Sequence, residues 1–161
     1  MKFNIREILT KYKTVAIVGL SKDPSKDSYK VAKYLKNNGF FIIPINPSAD
    51  KILGQKSYKS LLDLPRDVQK SLEIVDIFRP SHEVLPIVEQ AIKLKNAIGK
   101  PYVVWMQLGI VNNEAALKAE KAGLTIVMDK CIMQEHRRLS AVNNLNETNK
   151  SNINDKQNNQ K

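Results

Sequence analysis

Apolar residues along this chain fall into two alternating patterns. Near-continuous runs rich in Val, Ile and Phe occupy residues 14–19, 40–46, 72–78, 102–107 and 124–129. Between them, apolar residues recur every three or four positions. The runs suit strands of a parallel sheet covered on both faces, and the intervening spacing suits amphipathic helices. The spacing predicts a helix that starts at Asp27 or Ser28, either of which can cap it, and stops at Gly39. It predicts a short helix over 57–64 ending before Pro65, and a longer one over 81–95 carrying Val84, Leu85, Ile87, Val88, Ala91 and Ile92. Pro86 must lie in the first turn of that helix or kink it. Asn112 or Asn113 caps a helix over 114–122 closed by Gly123, and a last helix runs over about 132–139.

Strands separated by helices imply right-handed crossovers and one parallel sheet between two helical layers. The expected class is therefore α/β, a Rossmann-like three-layer sandwich with a five-stranded parallel sheet, in strand order 3-2-1-4-5. Its ligand would sit at the switch point, at the carboxyl end of the first strand. Residues 141–161 are dominated by Asn, Lys and Gln and hold too little apolar surface for a core. They read as a disordered tail behind a folded domain spanning 1–140.

The first strand ends in Gly19, a polar loop follows, and a helix begins near Ser28. Glycine lets the backbone pass close to an anion, and the first N–H groups of the helix lack intrahelical partners. Such a turn holds the phosphates of nucleotide-type ligands. A nicotinamide dinucleotide needs G-x-G-x-x-G and an acid at the end of the second strand. Here only Gly19 and Ser21 mark the turn, and the second strand ends Pro44-Ile45-Asn46-Pro47 with no carboxylate. Asn46 could hydrogen-bond a sugar or base and Pro47 could pack on an adenine face. An ordinary turn explains both residues equally well.

The formal charge of +10 changes the picture. It suits either plain solubility or attraction to a polyanion, and many lysines flank the glycine turn. No nucleic-acid motif is visible, which makes a nucleic-acid partner the weaker expectation. A single cysteine makes no internal disulfide and no zinc site. No apolar run approaches the roughly 18 residues that cross a bilayer, and residues 1–13 lack a signal peptide's apolar centre. A cytoplasmic location is expected. His82 and His136 read as surface helix residues, not as metal ligands.

Several motifs, in this order and spacing, carry a resemblance. They are G-L-S (Gly19, Ser21), S-Y (Ser28, Tyr29), P-I-N-P (44–47), L-G-Q (53–55), V-D-I-F-R (75–79), W-M-Q-L-G (105–109) and M-D-K-C-I-M-Q-E-H-R-R-L (128–139). Over residues 15–139 the chain resembles the small stand-alone CoA-binding proteins, which are similar to the CoA-binding domain of the succinyl-CoA synthetase α subunit. The resemblance implies coenzyme A, or an acyl-CoA, as ligand. It implies that Gly19 and Ser21 meet the phosphates, with Ser28 and Tyr29 opening the helix below them. Asn46 and Pro47 would sit at the adenosine or pantetheine side, and Phe78 and Arg79 at the end of the third strand. Gln107 and Gly109 would line the end of the fourth strand, and Cys131 would close the far side. Lys26 is assigned to a phosphate on charge and position, not on a motif. Asp23 and Asp27 reduce the positive field of the same loop.

Individual residues keep alternatives. Cys131 reads first as a small buried hydrophobe and second as a thiol able to form a mixed disulfide with CoA. Arg79 faces either ligand or solvent. Asn112 is a helix cap or a polar ligand contact. No paired carboxylates, Ser-His-Asp set or metal cluster supports catalysis, so a binding module is expected. The alternatives are a subunit of a nucleotide-forming acyl-CoA synthetase, acting with a protein partner, and an NAD(P)-binding regulatory domain.

Overall fold

The structure, a computed structural model, describes residues 4–158. Its elements in chain order are α1 (Ile5–Lys11), β1 (Thr14–Val18), α2 (Asp27–Asn37), β2 (Phe41–Ile45), β3 (Lys51–Ile52), β4 (Gln55–Lys56), α3 (Arg66–Ser71) and β5 (Ile74–Ile77). They continue with α4 (Val84–Ile98), β6 (Val103–Met106), α5 (Asn113–Lys121), β7 (Thr125–Val127) and α6 (Ile132–Asn158). Short 3-10 turns at Leu61–Asp63 and Ser81–Glu83 lead into α3 and α4.

Five strands form one parallel sheet in the order β2-β1-β5-β6-β7, as the alternation of runs predicts in class. The order differs from the expected 3-2-1-4-5. The third long strand, β5, lies beside β1 and not outside β2. Pro44 gives the reason: it sits inside β2, opposite Ile17, and has no N–H to offer a second neighbour. Proline within a strand confines that strand to a sheet edge. β5 and β6 are buried at every position and take the interior places.

Alternation along the strands builds two cores. Ala16, Val18, Val75, Ile77, Val104 and Met106 pack under α4 and α5. Val15, Ile17, Ile74, Val103 and Trp105 pack under α1, α2 and α6. The chain steps from β1 to β2 through α2 on one face, then crosses back over β1 to β5 on the other. Reversing direction puts the two right-handed crossovers on opposite faces and opens a crevice between β1 and β5 at their carboxyl ends.

The expected helix over 57–64 is replaced by a bridge of Tyr58 to Ile45 and the 3-10 turn, and Pro65 starts α3 where it was expected to stop a helix. Proline suits a helix start, where its missing N–H costs nothing. Residues 141–158, expected as part of a disordered tail, are helical. α6 continues to Asn158, and residues 141–153 are exposed on it. Residues 159–161 lie outside the described residues. No Gly or Pro follows Gly123 to stop a helix, and the docked first turns supply the nucleus from which it propagates. Among the described residues no helix is long and apolar enough to cross a membrane.

Candidate functional site

The carboxyl edge of the sheet carries two depressions, one on each side of the β1 and β5 ends. Gly19 forms the wall between β1 and β5. Its φ is +87°, and a Cβ there would meet the Phe78 carbonyl oxygen at 2.6 Å and the Arg79 side chain at 2.9 Å. Both the backbone conformation and the close approach demand glycine. Its N–H donates to the Ile45 carbonyl at 3.0 Å, and the Phe78 N–H donates to the Val18 carbonyl at 2.9 Å, tying the three strand ends together.

The loop from Ser21 to Ser25 is held by its own side chains. Ser21 Oγ accepts from the Asp23 N–H at 3.0 Å, and Asp23 Oδ1 accepts from the Ser25 N–H at 2.9 Å. The bonds from the Ser25 N–H and the Ser25 hydroxyl hold the Asp23 carboxyl below its ordinary range. Asp23 thus shapes the turn. Ser28, buried, accepts the Ser21 N–H on its Oγ at 2.9 Å. Lys26 caps α2 without a side-chain hydrogen bond. Among the described residues the N–H groups of Asp27, Ser28 and Tyr29 have no hydrogen-bond partner. They are free donors at a positive helix end.

The first depression is a cleft of about 550 Å³ lined by Val18, Gly19, Ser21, Ile45, Asn46, Pro47, Ser48, Lys59, Arg79, Glu83 and Ile87. Its cations are Lys59 and Arg79. Arg79, half exposed, pairs with Glu83 one helical turn on. Asn46 is occupied within the protein: its Nδ2 donates to the Leu20 carbonyl at 2.9 Å and its Oδ1 accepts from the Ser48 N–H at 2.7 Å. It braces the glycine loop against the end of β2.

The second depression is a cavity of about 300 Å³ between α2, α6 and the ends of β5 and β6. Its lining is Asp27, Lys30, Val31, Phe78, Gln107, Leu108, Ile110, Cys131, Met133 and Gln134. Beneath it, Asp76 on β5 is fully buried, and Gln107 Nε2 donates to its Oδ1 at 2.6 Å. Burial pushes the Asp76 carboxyl up to about 8, against the opposing hydrogen bonds from Gln107 and Ile77. Cys131, partly exposed, reaches the cavity because the loop before α6 is pinned. Trp105 Nε1 donates to the Lys130 carbonyl at 2.7 Å, and Asp129, at φ +59°, accepts the Gly109 N–H at 2.7 Å.

Eight of the sequence-derived site residues therefore come together in or between the depressions. Gly19, Ser21, Asn46, Pro47 and Arg79 line the cleft, while Phe78, Gln107 and Cys131 line the cavity. Ser28 supports the loop from within. Lys26, Tyr29 and Gly109 line neither depression, and Gly109 serves the brace to Asp129. Sequence reasoning missed Lys59, Glu83 and Asp76 as site residues. Only Asp76 left a signal, a lone acid inside an apolar strand run. Asn112 acts as the cap of α5, accepting the Ala115 N–H on Oδ1 at 2.9 Å. His136 is not a simple surface residue: its Nδ1 meets Tyr34 Oη at 2.8 Å and its ring packs edge-on against Phe40. Burial and the nearby Lys13 charge lower its pKa.

Known proteins resemble this chain in sequence and in fold. The chain is 36% identical over 135 residues to the uncharacterized protein YneT of Bacillus subtilis, covering 84% of this chain and 93% of that one. It is 33% identical over 135 residues to an ADP-forming acetate–CoA ligase of Methanocaldococcus jannaschii, covering 80% of this chain and only 18% of the ligase. A solved hypothetical protein from Pyrococcus horikoshii superposes with a TM-score of 0.75 at 44% identity, over 84% of this chain and 89% of that one. Residues 13–137 match the CoA binding domain family, and the chain belongs to that family.

Proposed function

We propose that this protein binds coenzyme A, or an acyl-CoA, across the two depressions and has no catalytic activity by itself. The observation that carries the reading is their adjacency: neighbouring residues Phe78 and Arg79 line one each. A ligand with an anionic nucleotide end and a long neutral arm matches that pairing. The adenosine and phosphates occupy the cleft, where Lys59 and Arg79 offset their charge. The pantetheine arm passes Phe78 into the cavity, and its thiol comes to lie on the Cys131 side. Lys59 and Arg79 supply the charge expected of Lys26. The missing acid after β2 disfavours a ribose 2′-hydroxyl and hence NAD. The cytoplasm, where CoA and a free thiol coexist, is the compartment that fits.

A second reading makes the chain a subunit of a nucleotide-forming acyl-CoA ligase, because the Methanocaldococcus relative is such a ligase. The chain spans 18% of that ligase, so this reading requires a partner chain. Thermal shift with CoA, dephospho-CoA, 3′,5′-ADP, NAD, NADP and ATP tests the first reading. Binding stabilises the fold by mass action. CoA should give the largest shift and exceed dephospho-CoA. A larger shift with NAD or NADP would overturn the proposal.

A further inference from the structure

The floor of the cavity holds a polar pair that the CoA reading does not require in general terms. Asp76 lies in the middle of β5 with its side chain fully buried, and its Oδ2 has no hydrogen-bond partner among the described residues. A buried, half-satisfied carboxyl costs stability, so its place in an interior strand asks for a reason. Its one side-chain partner is Gln107, itself 97% buried by its 3% exposure, at the rim of β6. A glutamine amide can present either its oxygen or its NH2 group. The Asp76 oxygen accepts from Nε2, which turns the Gln107 amide so that Oε1 is left over. That oxygen has no partner among the described residues, and Gln107 lines the cavity together with the apolar Val31, Phe78, Leu108, Ile110 and Met133 and the polar Asp27, Lys30 and Gln134.

We propose that Gln107 is a specificity-determining hydrogen-bond acceptor of the cavity, oriented by Asp76, and that it selects a ligand arm bearing a secondary amide N–H over an alkyl arm of equal length. The proposal rests on the CoA reading and deepens it: the pantetheine arm carries two such amides. An alkyl arm would strip water from Oε1 and leave it unpaired. Asp76 acts here as a positioning residue. Its role is to engage Nε2 and so leave Oε1 as the uncommitted amide atom of Gln107.

Calorimetry with two ligands tests this. CoA carries the arm, and 3′,5′-ADP carries the charged end alone. Gln107→Met keeps the bulk and removes the acceptor. It should weaken CoA roughly 10- to 100-fold and leave 3′,5′-ADP within about twofold. Gln107→Leu is the second variant if the first folds poorly. Asp76→Leu should weaken CoA selectively, whereas Asp76→Asn, whose Oδ1 still accepts from Nε2, should retain CoA within about threefold. CoA affinity unchanged in Gln107→Met, or CoA and 3′,5′-ADP weakened alike, would overturn the proposal. Wild-type protein that binds 3′,5′-ADP but gains nothing from the arm also overturns it. Wild-type protein that binds neither ligand overturns the CoA reading itself.

Discussion

The cleft and the cavity begin at the same strand ends and are built from different materials. The cleft is made of main chain and exposed ends: the Gly19 turn, the braced Asn46-Pro47 corner, and the cations Lys59 and Arg79. The cavity is made of side chains that rise from the interior of β5 and β6, with a protonatable acid buried beneath them. Charge recognition at an exposed rim tolerates water and depends on salt. Recognition inside an apolar cavity depends on a few fixed polar atoms. Substitutions in one depression should therefore separate the two ends of a bound ligand.

The largest effect is expected at the shared wall. Gly19→Ala forces an L residue to a φ of +87° and drives a Cβ onto the Phe78 carbonyl. The conformation alone costs about 1–2 kcal/mol. Melting temperature should fall, and calorimetry should show CoA and 3′,5′-ADP both weakened by more than about 100-fold, equivalent to about 2.7 kcal/mol. Retention of either ligand would separate the wall from the site.

Next comes the cleft alone. Arg79→Ala removes a guanidinium that would give a phosphate charge-assisted bonds of about 1.5–3 kcal/mol, offset by freeing it from Glu83. Both ligands should weaken about 10-fold, and the salt dependence of binding should become shallower. Lys59→Ala should act in the same direction. A loss confined to CoA would place Arg79 on the arm instead of the phosphates.

Asp76 separates the depressions through pH. Unfolded, an aspartate ionises near about 3.9. Folded, Asp76 holds its proton up to about 8. Between those values the folded state binds more protons, so stability falls as pH rises and the loss is complete near the upper value. Melting scans should show that decline in the wild type and not in Asp76→Asn. His136, whose pKa burial lowers, works the other way and costs stability as the pH drops below about 6.5. That arm of the profile should survive in Asp76→Asn.

The smallest effect is at Cys131. Cys131→Ser should leave 3′,5′-ADP affinity unchanged. In the wild type, CoA should slow alkylation of this thiol, read by mass spectrometry, and 3′,5′-ADP should not. Equal protection by both would put the thiol outside the arm's path.

Much of this layout was legible in the chain. The strand runs, the glycine turn and the residue after the last strand are local features, and each landed at the carboxyl edge. The sheet order was not read correctly, although Pro44 inside β2 carried the warning. Arg79 was legible at the end of the third strand run, but that Lys59 lines the cleft and Lys26 does not was not. A lysine's distance along the chain from a glycine turn says little about where a sheet edge, 40 residues later, returns it.

By itself the sequence determined the alternation of strand and helix and the presence of a glycine turn after the first strand. Side-chain periodicity and the steric freedom of glycine act within a few residues, and they need no partner. Tertiary structure alone decided which strands became neighbours, which cations reached the cleft, and that Gln107 would meet Asp76 across 31 residues of chain. Those outcomes depend on which groups the packed sheet removes from water together, and burial of that kind exists only once the whole fold has closed.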